Sequence, residues 1–528
     1  MATGTRHPAV RQPRLGPLGW ARWTWRSLTS MRTALFLLLL LSIAAVPGSV
    51  FPQRATDAGR VADYLAANPG VGPWLDRLSF FDVYTSPWFS AVYLLLVVSL
   101  IGCIVPRTRM HWHALRARPP RPPARLDRLE AHAQVRYAGA PADALADLRA
   151  MLRRARYRVH AHDDTTLSAE IGYLRETGNL VFHIGLCVVI LGVAFGHLLG
   201  WRGDVIVPEG QTFASTVRNY DTFSAGALVD PSALPGFTVR VDRMDVRFEE
   251  QAGGAQFGAP RGFTAYTTTV EHRGEPPRDQ SLTVNEPLSL GGADVYLLGN
   301  GYAPVVTVRD AAGEVLYRDA TPFLPQDGFY RSVGAVKVSA PAPGRQLGFS
   351  GYFLPTAEPS YAQGPVSLFP GLRNPEMVLS VWEGTLFPGG RPQSVYTLDT
   401  AQMSPLTGAE GRPLVLRLRP GDTVTLPDGR GTVTLESVVR FAGLSVRTDP
   451  GKGLTLVAAL VTVAGLVATL LVRRRRVFVR VAPTADPTGS STLVTVGALA
   501  KSADPGLVVA VQALADRLGA DPEHRSTA

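Results

Sequence analysis

Four long apolar runs, at 33–51, 88–106, 180–199 and 454–472, interrupt an otherwise mixed chain. Each is close to the roughly 20 helical residues needed to cross a hydrocarbon core, and none carries an acidic or arginine side chain in its interior. The second opens on Ser86-Pro87, an N-cap hydroxyl followed by proline at the first helical position. Between the third and fourth runs the period shortens to two. Phe237, Val239 and Val241 alternate with Thr238, Arg240 and Asp242, and Leu414, Leu416 and Leu418 with Val415, Arg417 and Arg419, the pattern of half-buried strands. Residues 305–309 and 314–318 flank one turn, and 423–426 and 432–435 flank another containing Asp428-Gly429; both read as hairpins. Prolines and glycines punctuate the rest, and no long amphipathic helix is evident. Residues 200–453 are therefore expected to form a large β-rich domain, a sandwich or an open barrel-like sheet.

Two shorter stretches mix both periods. After the stiff linker Pro119-Pro120-Arg121-Pro122-Pro123, residues 133–137, 157–161 and 166–171 read as strands and 141–155 as a helix with Leu145, Leu148 and Leu152 on one face. The tail adds strands at 477–481 and 492–496 and a helix at 507–518. Neither piece can bury much core alone, so the two are expected to join in one small α+β subdomain.

Charge orients this plan. The chain is basic, with 53 Lys and Arg against 43 Asp and Glu, which invites a nucleic-acid partner. The arginines cluster beside the apolar runs instead, where they set membrane orientation, and no nucleic acid is expected. Arg6, Arg11, Arg14, Arg22, Arg26 and Arg32 precede the first run without an acid among them. Arg107, Arg109, Arg116, Arg118, Arg121, Arg125 and Arg128 follow the second, and Arg473-Arg474-Arg475-Arg476 the fourth. The segment after the first run is mixed, with Asp57, Asp63, Asp76 and Asp82 against Arg54, Arg60 and Arg77. The expected layout is a basic cytoplasmic N-terminus (1–32), spans at 33–51 and 88–106 around an extracytoplasmic loop (52–87), a cytoplasmic α+β segment (107–179), a span at 180–199, the extracytoplasmic β-rich domain (200–453), a span at 454–472 and a cytoplasmic tail (473–528). The expected location is a bacterial plasma membrane. The first run also fits a signal peptide, but Pro47-Gly48 stands where a small-residue cleavage site is required, so an uncleaved anchor is expected.

Little in the sequence builds an enzyme. Cys103 and Cys187, the two cysteines, lie inside apolar runs with no CxxC, so neither thiol–disulfide exchange nor a zinc–thiolate centre is expected. Gly299-Asn300-Gly301 lacks the third glycine and following helix of a dinucleotide fingerprint. Walker A, GxSxG and HExxH motifs are missing. His272 is the single histidine of 200–453 and has no evident metal partner. The third run is the suggestive one. Gly185, Gly192, Gly196 and Gly200 fall in a narrow sector, suited to close packing on another helix. His183, Cys187 and His197 fall on the opposite side. An ionisable side chain within a span is costly, and neutral imidazole is an iron ligand; His183 is either such a ligand or hydrogen-bonded to a neighbouring helix. Cys187 reads as apolar filler and His197 as interfacial.

The run Gly178-Asn179-Leu180-Val181-Phe182-His183-Ile184-Gly185-Leu186 resembles the third-span signature of the ResB (CcsB) family. Gly203-Asp204-Val205-Ile206-Val207-Pro208-Glu209-Gly210, Val284-Asn285-Glu286-Pro287-Leu288 with Gly291-Gly292 and Tyr296, and Asp449-Pro450-Gly451 before the last span extend the likeness over nearly the whole chain after residue 28. Where the family often has His-Pro, this chain has Glu286-Pro287, so no histidine role transfers there. The resemblance implies an assembly factor, not an enzyme, for c-type cytochromes by the System II route. It would work with a ResC/CcsA-like membrane subunit to bring haem b outside and attach it to the CxxCH site of apocytochrome c, with a thiol-reducing protein as a further partner. It also implies that His183 is a haem axial ligand. The β-rich domain would hold the unfolded apocytochrome, by strand pairing at an exposed edge. Two rivals remain open: a membrane-anchored binding or scaffold module without haem, and a transporter using His183 in a proton relay.

Overall fold

A computed structural model describes residues 16–519 except 57, 252–253, 255, 340–344, 360–363, 388–394, 409–410 and 485–490. Arg6, Arg11, Arg14 and Asp57 of the charge pattern lie outside the described residues, as does the tail beyond 519. The chain forms two compact units: the described parts of Met1–Val193 with Lys452–Ala528, and Ala194–Gly451.

Helices α1 (Pro17–Leu28), α2 (Met31–Val50), α3 (Ala58–Ala67), α4 (Gly72–Arg77), α5 (Pro87–Arg116), α6 (Pro141–Arg154), α7 (Leu174–Leu199), α8 (Lys452–Leu471) and α9 (Leu507–Gly519) follow in chain order. The four apolar runs lie in α2, α5, α7 and α8, each long and apolar enough to cross a membrane. Two run further than their apolar stretches. α5 continues past Pro106 to Arg116, because proline removes one backbone donor and the turns beyond it carry on with polar side chains. α7 begins at Leu174, in the polar turn before its apolar run. Ser86 caps α5, its Oγ accepting from the Phe89 amide at 3.3 Å.

α1 falls in a stretch that reads only as a basic leader. It turns Trp20, Trp23 and Trp25 outward, ring systems suited to a membrane–water boundary. Its end is tied to α5. Ser99 Oγ donates to the Leu28 carbonyl at 2.6 Å and Cys103 Sγ to that of Thr29 at 2.8 Å, so Cys103 is a packing residue. The 52–87 segment is folded around Phe51, Tyr64, Phe80 and Phe81, whose rings meet edge to face or tilted.

The α+β subdomain is one antiparallel five-stranded sheet in the order Ala131–Ala138, Ser491–Ala500, Arg475–Thr484, Thr166–Ile171, Arg158–Asp163. Its two chain segments interleave: the C-terminal hairpin sits between strands contributed 300-odd residues earlier in the chain. α6 and α9 cover one face, where Leu148, Leu152, Val511 and Leu518 pack on Leu167, Val479, Val494 and Val496. The joining expected of the two pieces is found. Asp504, before α9, has a side chain only 1% exposed. It accepts from Arg475 Nε at 2.6 Å and Nη2 at 3.0 Å, and from Arg473 Nη1 at 3.0 Å. Hydrogen bonding to Arg475 and the charges of both arginines hold its carboxyl below the usual carboxylate range, against the opposing effect of burial. A depressed folded-state pKa stabilises the fold above the unfolded value, near 3.9, and that stabilisation is lost as pH falls through the folded value. Asp504→Asn is therefore expected to loosen α9 at pH 7, seen as faster amide exchange over 507–519. The difference from the parent should shrink below about pH 4.

Ala194–Gly451 is β-rich as expected, and the sandwich or open barrel-like sheet anticipated there takes the form of two β-sandwiches. Strands Ala293–Arg309 and Thr432–Thr448 pair antiparallel over their whole length. This ribbon enters two cores in succession. Val295, Leu297, Leu444 and Val446 face Val239, Val241, Ala265 and Leu282 of a four-stranded sheet. Val306, Val308, Val433 and Leu435 face Val336, Phe349, Leu379 and Leu416 of a six-stranded sheet. Beyond the last turns of α7, which end at Leu199, no α-helix occurs there among the described residues. Both expected hairpins are present, the second closing through Asp428 (φ 56°), Gly429 (φ 68°) and Gly431 (φ 100°). A Cβ on Gly431 would also run into the Arg309 carbonyl. Gly431→Ala is expected to cost about 2–3 kcal/mol, read as a lower denaturant midpoint of the detergent-solubilised chain.

Candidate functional site

α7 presents two contrasting faces. On one, Gly178, Gly185 and Gly192 are buried against α8. A Cβ on Gly178 would stand 2.7 Å from the Gly465 carbonyl oxygen, one on Gly185 would strike Thr462, and one on Gly192 would stand 2.5 Å from Thr455 Oγ1. The contacts recur every seven residues along α7, and Thr469, whose amide nitrogen would lie 3.0 Å from a Cβ on Gly178, keeps the same spacing on α8 with Thr462 and Thr455, an antiparallel small-residue seam. The expected face is thus real but shifted. Gly178 belongs to it, whereas Gly196 meets the Asp449 side chain and Gly200 the Thr448 carbonyl.

His183 lies off the seam and half-buried. Its Nδ1 is 2.7 Å from the Asn179 carbonyl oxygen one turn earlier, and its ring stands edge-on to Phe182 with centroids 4.9 Å apart. A carbonyl only accepts, so Nδ1 carries the proton and Nε2 keeps its lone pair. No described residue hydrogen-bonds Nε2. This is the arrangement by which proteins orient a metal-ligating imidazole, and its donor chemistry fits haem iron. Cys187, one turn further, is a free half-buried thiol; His197 is exposed near the end of the helix. Neither joins His183 in a cluster.

Before His183 on the same helix opens a polar cavity of about 470 Å3, lined from α5, α7 and the segments after α8. Behind it, the Glu170 side chain is 4% exposed and that of Arg474 8%. Glu170 accepts from Arg476 and Tyr173 and lies 3.7 Å from Arg474. Glu176 pairs with Arg474 and with Lys501 at 2.5 Å. The arginine run after α8, legible as an orientation signal, thus also enters a buried ion network. The one sequence hint was the acid Glu176 within the turn before an apolar run.

In the β-rich unit the residues that carry the family resemblance make turns and braces. Glu209 accepts the Met244 amide at 2.6 Å and the Arg440 amide at 3.0 Å, tying two strands. Gly291 and Gly292 (φ 58° and 81°) close a two-residue hairpin loop. Asn285 (φ 69°) turns the chain so that Glu286 accepts from Thr283 Oγ1 at 2.9 Å. Asp449 caps the turn before α8 by accepting the Gly451 amide at 2.9 Å. His272, read as lacking a metal partner, has Glu271 and Glu275 beside it. The group is exposed, Glu271 is engaged by the Gly291 amide, and His272 Nδ1 lies 3.2 Å from Glu275, a surface ion-pair arrangement.

Four helices long and apolar enough to span, an α+β subdomain built from residues that flank them and a large two-sandwich unit define a membrane protein. The chain belongs to the ResB-like family, whose model matches residues 31–511. It is similar to proteins named cytochrome c biogenesis protein CcsB. That of Trichormus variabilis is 25% identical over 280 residues, 51% of this chain and 56% of the relative. That of Synechococcus elongatus is 28% identical over 52% of this chain and 57% of the relative. That of Synechococcus sp. strain WH7803 is 25% identical over 460 residues, 85% of this chain and 88% of the relative. The chain spans little more than half the length of the first two relatives in these matches.

Proposed function

We propose that this protein is a subunit of a membrane complex that delivers haem and assembles c-type cytochromes, an assembly factor rather than an enzyme. The names of its relatives support the general role. The observation that carries the finer reading is the imidazole of His183, held through Nδ1 with Nε2 unengaged within a span. On this reading haem is cargo, and His183 contributes one axial ligand through Nε2. A histidine of a ResC/CcsA-like subunit supplies the other, and the CxxCH thiols of apocytochrome c receive the haem. A thiol-reducing protein keeps those thiols reduced. The basic flanks of α2, α5 and α8 favour a bacterial plasma membrane with both termini cytoplasmic and the β-rich unit outside.

The test is an absorption spectrum of the complex purified after co-expression with its partner. The wild type is expected to show a Soret band that His183→Ala reduces several-fold at equal protein yield. A band of equal intensity in the variant would assign haem binding to the partner and leave this chain a scaffold.

A further inference from the structure

The polar cavity before His183 has an excess of positive charge and a buried imidazole nitrogen without a hydrogen-bond partner among the described residues. Arg107, Arg474, Arg476 and Lys501 line it with one carboxylate, Glu176, and Glu170 approaches from behind. Four arginine and lysine cations thus face two carboxylates. Arg107 has no carboxylate partner among the described residues; its Nη2 lies 2.8 Å from Met31 Sδ. His111, on α5, is 9% exposed. Its Nε2 meets Thr177 Oγ1 at 2.9 Å, while its Nδ1 is buried with no hydrogen-bond partner among the described residues, 3.6 Å from Glu176. Of the four cations, Arg474 is buried, Arg107 half-buried, and Arg476 and Lys501 reach solvent; such a cluster of one sign focuses its field on a bound anion. An anionic oxygen from a ligand would answer that excess of positive charge.

Position selects the ligand. Arg107 directly follows the apolar run of α5 and Leu180 begins that of α7, so the cavity opens where charged and apolar surfaces meet. Met110, Ala114 and Leu180 supply apolar wall. Glu176, Asn179, Leu180 and His183 succeed one another at helical spacing on one side of α7. His183 is therefore one turn, about 5.4 Å along the axis, beyond the lining residue Asn179, whose carbonyl orients it. The required ligand carries anionic oxygens at one end and an apolar body able to reach the imidazole.

We propose that this cavity binds the two carboxylate arms of haem, with Arg107 and Lys501 as the pairing cations, while the iron is offered to His183. The proposal rests on the haem reading of His183. A phospholipid headgroup offers the same anionic oxygens without an iron.

The experiment measures binding of four probes to the detergent-solubilised full chain: haemin, metal-free protoporphyrin IX, its dimethyl ester, and phosphatidylglycerol. Arg107→Gln and Lys501→Gln are each expected to weaken protoporphyrin IX about tenfold and leave the dimethyl ester unchanged. Lys501→Arg is expected to keep the wild-type affinity, which separates charge from misfolding. His183→Ala is expected to weaken haemin and leave protoporphyrin IX alone. Equal wild-type affinity for the acid and the ester, or unchanged protoporphyrin IX binding in both glutamine variants, overturns the proposal. Loss of phosphatidylglycerol with porphyrin binding intact overturns it in favour of a lipid headgroup. Loss of protoporphyrin IX in the glutamine variants with haemin undiminished in His183→Ala supports the cavity while overturning the ligation reading alone.

Discussion

Alanine or leucine at Gly465 is expected to prevent α7 and α8 from packing, at a cost of about 3 kcal/mol or more. A Cβ on Gly465 would lie 2.6 Å from the Phe182 amide nitrogen and 2.8 Å from the Gly178 carbonyl oxygen. Both obstacles are backbone, so no rotamer change relieves them and the helices must separate. Separation forfeits close contact along the seam, and between helices in lipid there is no hydrophobic drive to restore it. The readouts are the yield of monodisperse protein in detergent and the tryptic sensitivity of Arg175 and Arg473. Gly453→Ala, where a side chain would meet nothing within 4 Å, is the control and should behave as wild type. Because the seam also fixes the rotation of α7 about its axis, Gly465→Ala should weaken any haem signal that depends on His183. Wild-type yield and spectrum in Gly465→Ala would show that the two helices are not held this closely.

Glu170→Ala should be nearly as damaging, for an electrostatic reason. Glu170 pairs with Arg476 and Arg474 and accepts from the Tyr173 hydroxyl, and its removal leaves Arg474 buried with Glu176 as its one remaining acid among the described residues. Breaking one side of a buried ion pair costs about 3–5 kcal/mol, because the surviving charge stays desolvated. The network joins the strand Thr166–Ile171, the strand Arg475–Thr484 and the start of α7, so the loss should appear as early melting of the α+β subdomain in amide exchange. Glu170→Gln, which keeps hydrogen bonds but not charge, should cost less. Glu170→Leu combined with Arg474→Met should recover much of the stability, since an apolar pair of similar bulk avoids the desolvation cost. If the double variant is no better than Glu170→Ala, the arginine has a role beyond answering this acid.

What could be read in the chain beforehand follows from which interactions are local. The spans and strands announce themselves because burial imposes a period on neighbouring residues. Span ends do not: hydropathy records where apolar side chains stop, whereas a helix ends where its hydrogen bonds end, and so α5 outruns Pro106 and α7 starts before Leu180. Gly178 escaped the seam because it stands in the polar turn outside the apolar run. The division of the β-rich domain into two sandwiches was not legible, because the alternation of Ala293–Arg309 is the same whether its two halves face one core or two. His183 was legible as an ionisable group within a span. The cavity beside it was not, because His111, Glu176, Arg474 and Lys501 come from four separate stretches and only pairing across several hundred residues gathers them. Glu209 and Gly291-Gly292 carried the family likeness without revealing that they serve as braces and turns.

The strand order of the α+β sheet imposes a timetable on biosynthesis. Strands Ala131–Ala138 and Thr166–Ile171 are separated in the finished sheet by the hairpin Arg475–Thr484/Ser491–Ala500. When the ribosome has made the first two, their shared neighbours do not exist. At about 5–20 residues per second, the ~300 residues between Ile171 and Arg475 take roughly 15–60 s to appear. In that interval the whole two-sandwich unit and the last span must be made and placed. The hairpin therefore acts as a latch that can close only after the two-sandwich unit and the last apolar helix have been synthesised. A ribosome stalled before residue 475 should leave the early strands open to chaperones or proteases.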